Sequence, residues 1–78
     1  MIDEQAHIEI YTSRTCGYCY AAKSLLDEHG LAYTEVDVTF DAEKRREMME
    51  RSKQRTVPQI FIDGKPIGGY RDLVGLLK

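Results

Sequence analysis

The sequence lacks the features that mark three common classes of small protein. Its 78 residues include only two cysteines, too few for the disulfide scaffold that stabilises many small secreted domains. The formal net charge of −2 lacks the positive excess that nucleic-acid binders usually carry. No apolar run approaches the roughly 20 residues of a membrane-spanning helix. We therefore expect neither a secreted disulfide scaffold, nor a nucleic-acid binder, nor a membrane protein.

The composition that remains fits one small folded domain, residues 1–78. A chain with 42% hydrophobic and 31% charged residues is ordinary for a globular protein of this size. Residues 1–6 have neither the basic part nor the apolar core of a signal peptide. Together with the low cysteine count, this favours a reducing compartment, and we expect a cytoplasmic protein.

Hydrophobic periodicity predicts seven elements in the order β-α-β-α-β-β-α. Their expected bounds are 7–12, 17–29, 33–38, 41–53, 59–62, 66–68 and 72–77. Gly30 suits the end of the first helix, and Asp63-Gly64 suits a two-residue hairpin turn between the last two strands. Pro66 predicts that the last strand is an edge strand of the sheet. This order implies an α/β protein with a mixed four-stranded sheet and three helices packed on its faces.

The second predicted helix is strongly charged. Asp41 and Glu43 suit its positive end, and Glu47 and Arg51 have the spacing of an i,i+4 ion pair. Met48 and Met49 are expected core residues. The cations alternate with acidic residues, so we interpret this helix as a solvated, salt-bridged face rather than as a binding patch.

The two cysteines are three residues apart, in Cys16-Gly17-Tyr18-Cys19, where a predicted strand gives way to a predicted helix. This spacing and junction indicate a thiol–disulfide redox site. Unpaired backbone N–H groups at a helix N-terminus stabilise a thiolate, and Arg14 adds a cation nearby. Cys16 would then be the attacking nucleophile, and Cys19, one turn further in, the resolving thiol.

Three plainer interpretations of the cysteine pair stay open on spacing alone. It could be a structural disulfide, or two unrelated buried thiols. It could also be half of a zinc site, for which only His7 and His29 offer imidazole ligands, neither at a tight spacing to the pair.

Two further segments invite both an ordinary and a functional interpretation. Pro58 marks the start of the third strand, and a trans bond before it is favoured on frequency, since only about 5–6% of X–Pro bonds are cis. Gly68-Gly69 precede the last helix, whose N-terminus suits a carboxylate. Asp72 there either caps its own helix or holds a ligand ammonium, and the residues alone favour the cap.

Four segments occur together, in order, across nearly the whole chain: residues 11–12 (Tyr-Thr), 15–19 (Thr-Cys-Gly-Tyr-Cys), 56–62 (Thr-Val-Pro-Gln-Ile-Phe-Ile) and 68–73 (Gly-Gly-Tyr-Arg-Asp-Leu). Each is weak alone, but the set is specific, and with it the chain resembles dithiol glutaredoxins. The resemblance implies the thioredoxin fold, a glutathione site beside Cys16, and a cis bond before Pro58.

The resemblance also implies a role for each matching residue. Cys16 takes the glutathionyl group, and Cys19 closes a redox-active disulfide with it. The backbone of Val57 pairs with the cysteinyl part of glutathione, and the carboxylate of Asp72 takes the γ-glutamyl ammonium. The full set implied for glutathione binding is Arg14, Tyr18, Gln54, Thr56, Val57, Pro58, Gly69, Tyr70, Arg71 and Asp72.

Two positions depart from the family pattern. Gly17 stands where the family commonly has proline, and some relatives with a small residue there resemble carriers of a [2Fe–2S] cluster bridged between two chains by two glutathiones. Ser13 stands where the family usually has lysine, and Arg14 is the nearest replacement for that charge.

The leading prediction is a glutathione-dependent thiol–disulfide oxidoreductase, with glutathione as co-substrate. Its partners would be glutathionylated or disulfide-containing proteins, ribonucleotide reductase among them, and the protein would act as a monomer. One alternative is the [2Fe–2S] carrier, with Cys16 as the cluster ligand and no other metal site. Another is a redoxin served by thioredoxin reductase instead of glutathione, against which Tyr70 and Asp72 count.

Overall fold

A computed structural model describes residues 5–77 of the chain. The expectation that residues 1–6 are not a signal peptide falls mostly on residues 1–4, which lie outside the described residues. The elements in chain order are β1 (Ile8–Thr12), α1 (Gly17–Glu28), β2 (Thr34–Asp37), α2 (Ala42–Ser52), β3 (Gln59–Ile62), β4 (Lys65–Gly68) and α3 (Tyr70–Leu77). This confirms the order β-α-β-α-β-β-α. Among the described residues, no helix is long and apolar enough to cross a membrane.

The four strands form one mixed sheet in the order β2-β1-β3-β4. β1 runs parallel to β2 and antiparallel to β3, and β3 runs antiparallel to β4. Consequently β1, β2 and β4 finish, and β3 begins, at one end of the sheet. We call this the Cys16 end, since Cys16 follows β1 there. The opposite end, where the turn between β3 and β4 lies, is the hairpin end.

Apolar side chains cover both faces of the sheet. On one face, Ile8 and Ile10 pack against Ala22 and Leu26 of α1 and against Leu73 of α3, all buried. On the other face, Tyr11, Val38 and Phe61 pack around Met48 of α2, confirming Met48 as a core residue. Full burial of one large aliphatic side chain contributes about 1.5–3 kcal/mol, so a domain this small depends on nearly every one.

The predicted ion pair between Glu47 and Arg51 is wrong. Arg51 instead reaches across to β1, where its guanidinium donates to Glu9 at 2.9 and 3.2 Å and to the Tyr11 hydroxyl at 2.8 Å. It also lies over the Phe61 ring, 4.0 Å from the centroid. Glu47 accepts from the Tyr11 hydroxyl. Because α2 packs on the sheet face that carries Glu9, a bidentate partner lies within reach of Arg51, and this contact fastens the end of α2 to β1.

The turns follow the predicted chemistry closely. Gly30 adopts φ +66° just after α1, as expected of a glycine that ends a helix. Asp63 and Gly64 have φ +52° and +81°, and Ile62 pairs directly with Lys65, which confirms the two-residue hairpin turn. The one boundary that shifted by two residues is the start of α3, at Tyr70 rather than residue 72.

Candidate active site

Cys16 is the N-terminal cap of α1. Its backbone is extended (φ −100°, ψ 108°), and its Sγ accepts a hydrogen bond from the Cys19 backbone N–H at 3.2 Å. The sulfur thus occupies the place that a serine or aspartate oxygen takes at an ordinary N-cap, facing the positive end of the helix dipole. Cys16 is also partly exposed, so a substrate can reach it.

Cys19 has the opposite environment, one turn into α1. Its side chain is 1% exposed, and burial, reinforced by the hydrogen bond with Cys16, raises the pKa of its thiol to about 12. The two residues are unlinked thiols in the structure. A partly exposed sulfur at the helix cap, backed by a buried and protonated one, is the division of roles expected of a nucleophile and a resolving thiol.

The start of α1, with its two cysteines, forms one wall of the site, and the segment before β3 forms the second. The Val57–Pro58 bond is cis, as the family resemblance implied. The Cys16 thiol donates to the Val57 carbonyl oxygen at 3.5 Å. The buried side chain of Gln59 donates to the Thr56 carbonyl and hydroxyl, at 2.9 and 3.2 Å, and thereby holds this segment in place.

The start of α3 forms the third wall, and two glycines allow its approach. Gly68 has φ +111°, and a Cβ there would lie 2.2 Å from the Asp72 Oδ2. A Cβ on Gly69 would lie 3.4 Å from the Pro58 carbonyl oxygen, so α3 begins directly against the cis-proline segment. Asp72 Oδ2 accepts from the Gly69 N–H at 2.9 Å, which makes Asp72 the third residue of the helix rather than its cap.

Between these walls lies a groove of about 360 Å³. Its lining residues come from α1, from the chain between α2 and β3, and from the β4–α3 junction: Tyr18, Gln54, Thr56, Val57, Pro58, Gln59, Gly68, Gly69, Tyr70, Arg71 and Asp72. The rings of Tyr18 and Tyr70, both in its lining, lie 5.7 Å apart, and Cys16 adjoins the groove through Val57.

All the residues expected to bind glutathione line this groove, with the exception of Arg14. Its Nε donates to the Asp37 carboxylate at 2.9 Å, and its guanidinium lies 5.2 Å from the Phe40 ring centroid. Asp37 ends β2, the parallel neighbour of β1, so it lies beside the segment that follows β1. Gln59 and Gly68 also line the groove but were not predicted as site residues. The only sequence signals for them were that Gln59 directly follows Pro58 and that Gly68 forms a pair with Gly69.

Gly17, the residue between the thiols that departs from the family pattern, is exposed, and a Cβ built on it would meet no atom within 4 Å. Across residues 5–77, no three His, Cys, Asp or Glu side chains cluster as metal ligands would.

Comparisons with known proteins agree with this geometry. A family model described as Glutaredoxin matches residues 8–67. The chain is 51% identical over 71 residues to "Glutaredoxin 3" of Escherichia coli K12, covering 91% of this chain and 86% of that protein. It is 44% identical over 73 residues to "Glutaredoxin 1" of Rickettsia conorii, covering 91% and 72%.

Solved structures give the same result. The solution structure of glutaredoxin from Brucella melitensis superposes with a TM-score of 0.80 at 41% identity, over 96% of this chain and 82% of that one. The crystal structure of a buckwheat glutaredoxin–glutathione complex superposes with a TM-score of 0.80 at 28% identity, over 92% and 68%.

Proposed function

Because this chain belongs to the glutaredoxin family, whose members are thiol–disulfide oxidoreductases with the thioredoxin fold, we propose that it reduces protein–glutathione mixed disulfides and protein disulfides at the expense of glutathione. The observation that carries this proposal is the position of the Cys16 sulfur, 3.5 Å from the Val57 carbonyl oxygen and at the side of the groove. A bound peptide there would have its sulfur next to the nucleophile.

Glutathione is a short peptide with two carboxylates and one ammonium, and the groove offers a partner for each part. An extended cysteinyl residue can pair with the Val57 backbone in the manner of an added β-strand. The N–H groups of Tyr70 and Arg71, at the start of α3, suit the γ-glutamyl carboxylate. Asp72 supplies a carboxylate for the γ-glutamyl ammonium, and Gln54 an amide for the glycyl carboxylate. The buckwheat relative solved as a glutathione complex supports this assignment.

For a mixed disulfide, the proposed reaction has two exchange steps. The Cys16 thiolate attacks the glutathione sulfur, forming a Cys16–glutathione disulfide and releasing the protein thiolate, which takes up a proton. A second glutathione thiolate then attacks the bound glutathione sulfur. Oxidised glutathione leaves, and the Cys16 thiolate is regenerated.

For a protein disulfide, Cys19 completes the reaction. Cys16 first forms a mixed disulfide with one substrate sulfur and releases the other. Cys19 then gives up its proton, attacks the Cys16 sulfur and expels the remaining substrate thiolate. The resulting Cys16–Cys19 disulfide is reduced by two glutathiones. The pKa of about 12 keeps Cys19 protonated in the reduced protein, so Cys16 is the sulfur that attacks first.

The test is glutathione-dependent reduction of the glutathione–mercaptoethanol disulfide, coupled to glutathione reductase and followed by NADPH consumption. We expect turnover by the wild type and by Cys19→Ser, and none by Cys16→Ser. With a protein disulfide as substrate, Cys19→Ser should also be inactive. Turnover by Cys16→Ser, or none by folded, reduced wild type, would contradict the proposal.

The wider assignments are proposals on the same basis: a cytoplasmic monomer acting on glutathionylated or disulfide-containing proteins, including ribonucleotide reductase.

The iron–sulfur carrier stays a prediction from Gly17. The described residues of one chain offer Cys16 as a single thiolate ligand to such a cluster, so a second chain and two glutathiones would have to complete it. A brown dimer after anaerobic purification would support that alternative. Reduction by thioredoxin reductase, without glutathione turnover, would support the redoxin alternative.

A further inference from the structure

An aromatic surface lies beside Cys16 on the side away from the groove. Phe40 is 85% exposed, the highest value among the large apolar residues that the structure describes, and Tyr20 is 53% exposed. The Arg14 guanidinium covers one side of the Phe40 ring, and the Tyr20 hydroxyl donates to the Arg14 carbonyl oxygen at 3.0 Å. We call Arg14, Tyr20 and Phe40 together the Phe40 surface.

The order of the strands fixes where this surface lies. At the Cys16 end, Phe40 follows β2 and Cys16 follows β1, whereas the groove is built around the start of β3 and the end of β4. Since the strand order is β2-β1-β3-β4, Cys16 lies between the Phe40 surface and the groove. A ligand confined to the groove leaves the Phe40 surface uncovered.

Several hydrogen bonds hold the backbone on either side of Phe40. Asp37 Oδ1 accepts from both the backbone N–H and the hydroxyl of Thr39, at 2.9 and 2.6 Å, and the Thr39 hydroxyl oxygen accepts from the Arg14 N–H at 2.8 Å. The Asp41 N–H donates to the Val38 carbonyl oxygen at 3.4 Å and closes the turn that carries Phe40. An exposed aromatic ring on a fixed turn loses little entropy when a partner covers it.

The charged side chains that contact the rings of this surface are paired. Hydrogen bonds from Thr39, then the Arg14 guanidinium, lower the pKa of Asp37 to about 2, so the Arg14–Asp37 pair is ionised and neutral overall. Lys23, whose Nζ lies 4.7 Å from the Tyr20 ring centroid, pairs with Glu35 at 3.0 Å. A partner would therefore meet aromatic rings whose contacting cations are already paired, which favours an apolar side chain over an anionic one.

We propose that the Phe40 surface docks the protein part of a disulfide substrate, through an apolar or aromatic side chain close to the reacting cysteine. The inference rests on the proposed function, because it identifies the kind of protein that this site accepts. A small transient protein interface buries up to about 600 Å² on each partner. A protein that brings a disulfide to Cys16 must therefore extend past the groove, and on the β2 side it meets Phe40.

The test uses short synthetic peptides with a central glutathionylated cysteine and glycine or serine elsewhere. One phenylalanine is placed at each other position in turn, and matched peptides carry serine, glutamate or lysine there. We would measure kcat/KM for every peptide, and for the glutathione–mercaptoethanol disulfide, with wild type, Phe40→Ala and Leu76→Ala. Leu76 is the matched control, since it is an exposed apolar residue in the last turn of α3.

We expect wild type to prefer a phenylalanine peptide over its serine counterpart by about fivefold at one or more positions. Phe40→Ala should lose this preference, Leu76→Ala should keep it, and all three proteins should reduce the small disulfide equally. A preference that survives Phe40→Ala, a preference for the charged peptides, or no preference at all would overturn the inference while leaving the proposed function intact. Failure of wild type on the small disulfide would overturn the proposed function and this inference with it.

Discussion

The two ends of the sheet share two local features, a glycine with positive φ and an aspartate that accepts from a backbone N–H, but these features have different neighbours. At the hairpin end, Gly64 has a left-handed backbone, and the Asp63 Oδ1 accepts from the His7 backbone N–H at 2.9 Å. At the Cys16 end, Gly68 has positive φ, and the Asp72 Oδ2 accepts from the Gly69 N–H at 2.9 Å. Each end thus combines one positive-φ glycine with one aspartate that bonds to backbone.

The difference lies in what each pair adjoins. At the hairpin end, the Asp63 N–H also donates to the His7 carbonyl oxygen, at 2.8 Å, so turn and strand bond to each other in both directions. At the Cys16 end, the glycine and the aspartate lie where α3 begins against the cis-proline segment, and both line the groove next to the Cys16 thiol. A positive-φ glycine near an aspartate that bonds to backbone therefore does not by itself indicate a functional site. Only the groove and the thiol next to it do so at the Cys16 end. Substitutions should change chemistry at the Cys16 end and stability at the hairpin end.

The largest contrast concerns the buried thiol, which has no counterpart at the hairpin end. In a Cys16→Ser variant, Cys19 is the only thiol, and burial, the largest cause of its raised pKa, still acts on it, so less of it is thiolate than of an ordinary thiol. Between pH 7 and 9 we expect iodoacetamide to react more slowly with Cys19 than with an ordinary thiol, by about a hundredfold or more, with the rate rising about tenfold per pH unit.

Mass spectrometry of timed samples gives this rate, and the same variant unfolded in urea is the control, which should react as an ordinary thiol. A rate that levels off below pH 10 in the folded variant would show that burial does not hold the pKa of Cys19 up.

An intermediate effect is expected from removing one negative charge at each end. Asp72→Asn keeps an oxygen to accept from the Gly69 N–H but loses the carboxylate proposed to hold the γ-glutamyl ammonium. We expect the KM for glutathione to rise about tenfold with little change in kcat.

Asp63→Asn is the matched control, since it makes the same change at the hairpin end and should leave both kinetic constants unchanged. Equal effects of the two variants on KM would mean that overall charge, and not the position of Asp72, attracts glutathione.

The smallest expected effect is purely structural. A Cβ on Gly64 would meet no atom within 4 Å, so Gly64→Ala should cost only the left-handed backbone, about 1 kcal/mol of unfolding free energy, with turnover unchanged. Gly68→Ala adds a clash with the Asp72 carboxylate and should also raise the KM for glutathione. Urea unfolding and the coupled assay measure both, and a loss of turnover in Gly64→Ala would break the distinction between the ends.

The parts of the fold that sequence reasoning predicted are those that local chemistry decides. Gly30 and the Asp63-Gly64 turn each depend on residues a few positions apart, and the structure agrees with both. The start of α3 was misplaced because Asp72 bonds backward to Gly69, a geometry that the residue types alone did not favour.

The parts that sequence reasoning missed depend on neighbours distant in the chain. Arg51 had a helical partner at the right spacing, but the better partner, Glu9, lies across the α2–β1 interface. Arg14 was expected in the groove, and Asp37 at the end of β2 holds it elsewhere. The cis bond at Pro58 came from the family resemblance, since a proline at a strand start is ordinary in itself.

The vacant surroundings of Gly17 have a consequence for how such proteins diversify. Gly17 is the first residue of α1, and the extended backbone of Cys16 suits a following proline, so the proline common in the family and the glycine found here are both compatible with this helix start. A side chain there begins in open space, in the segment that joins the two cysteines. This residue can therefore be exchanged, and with it the properties of the dithiol, without a compensating change in the core.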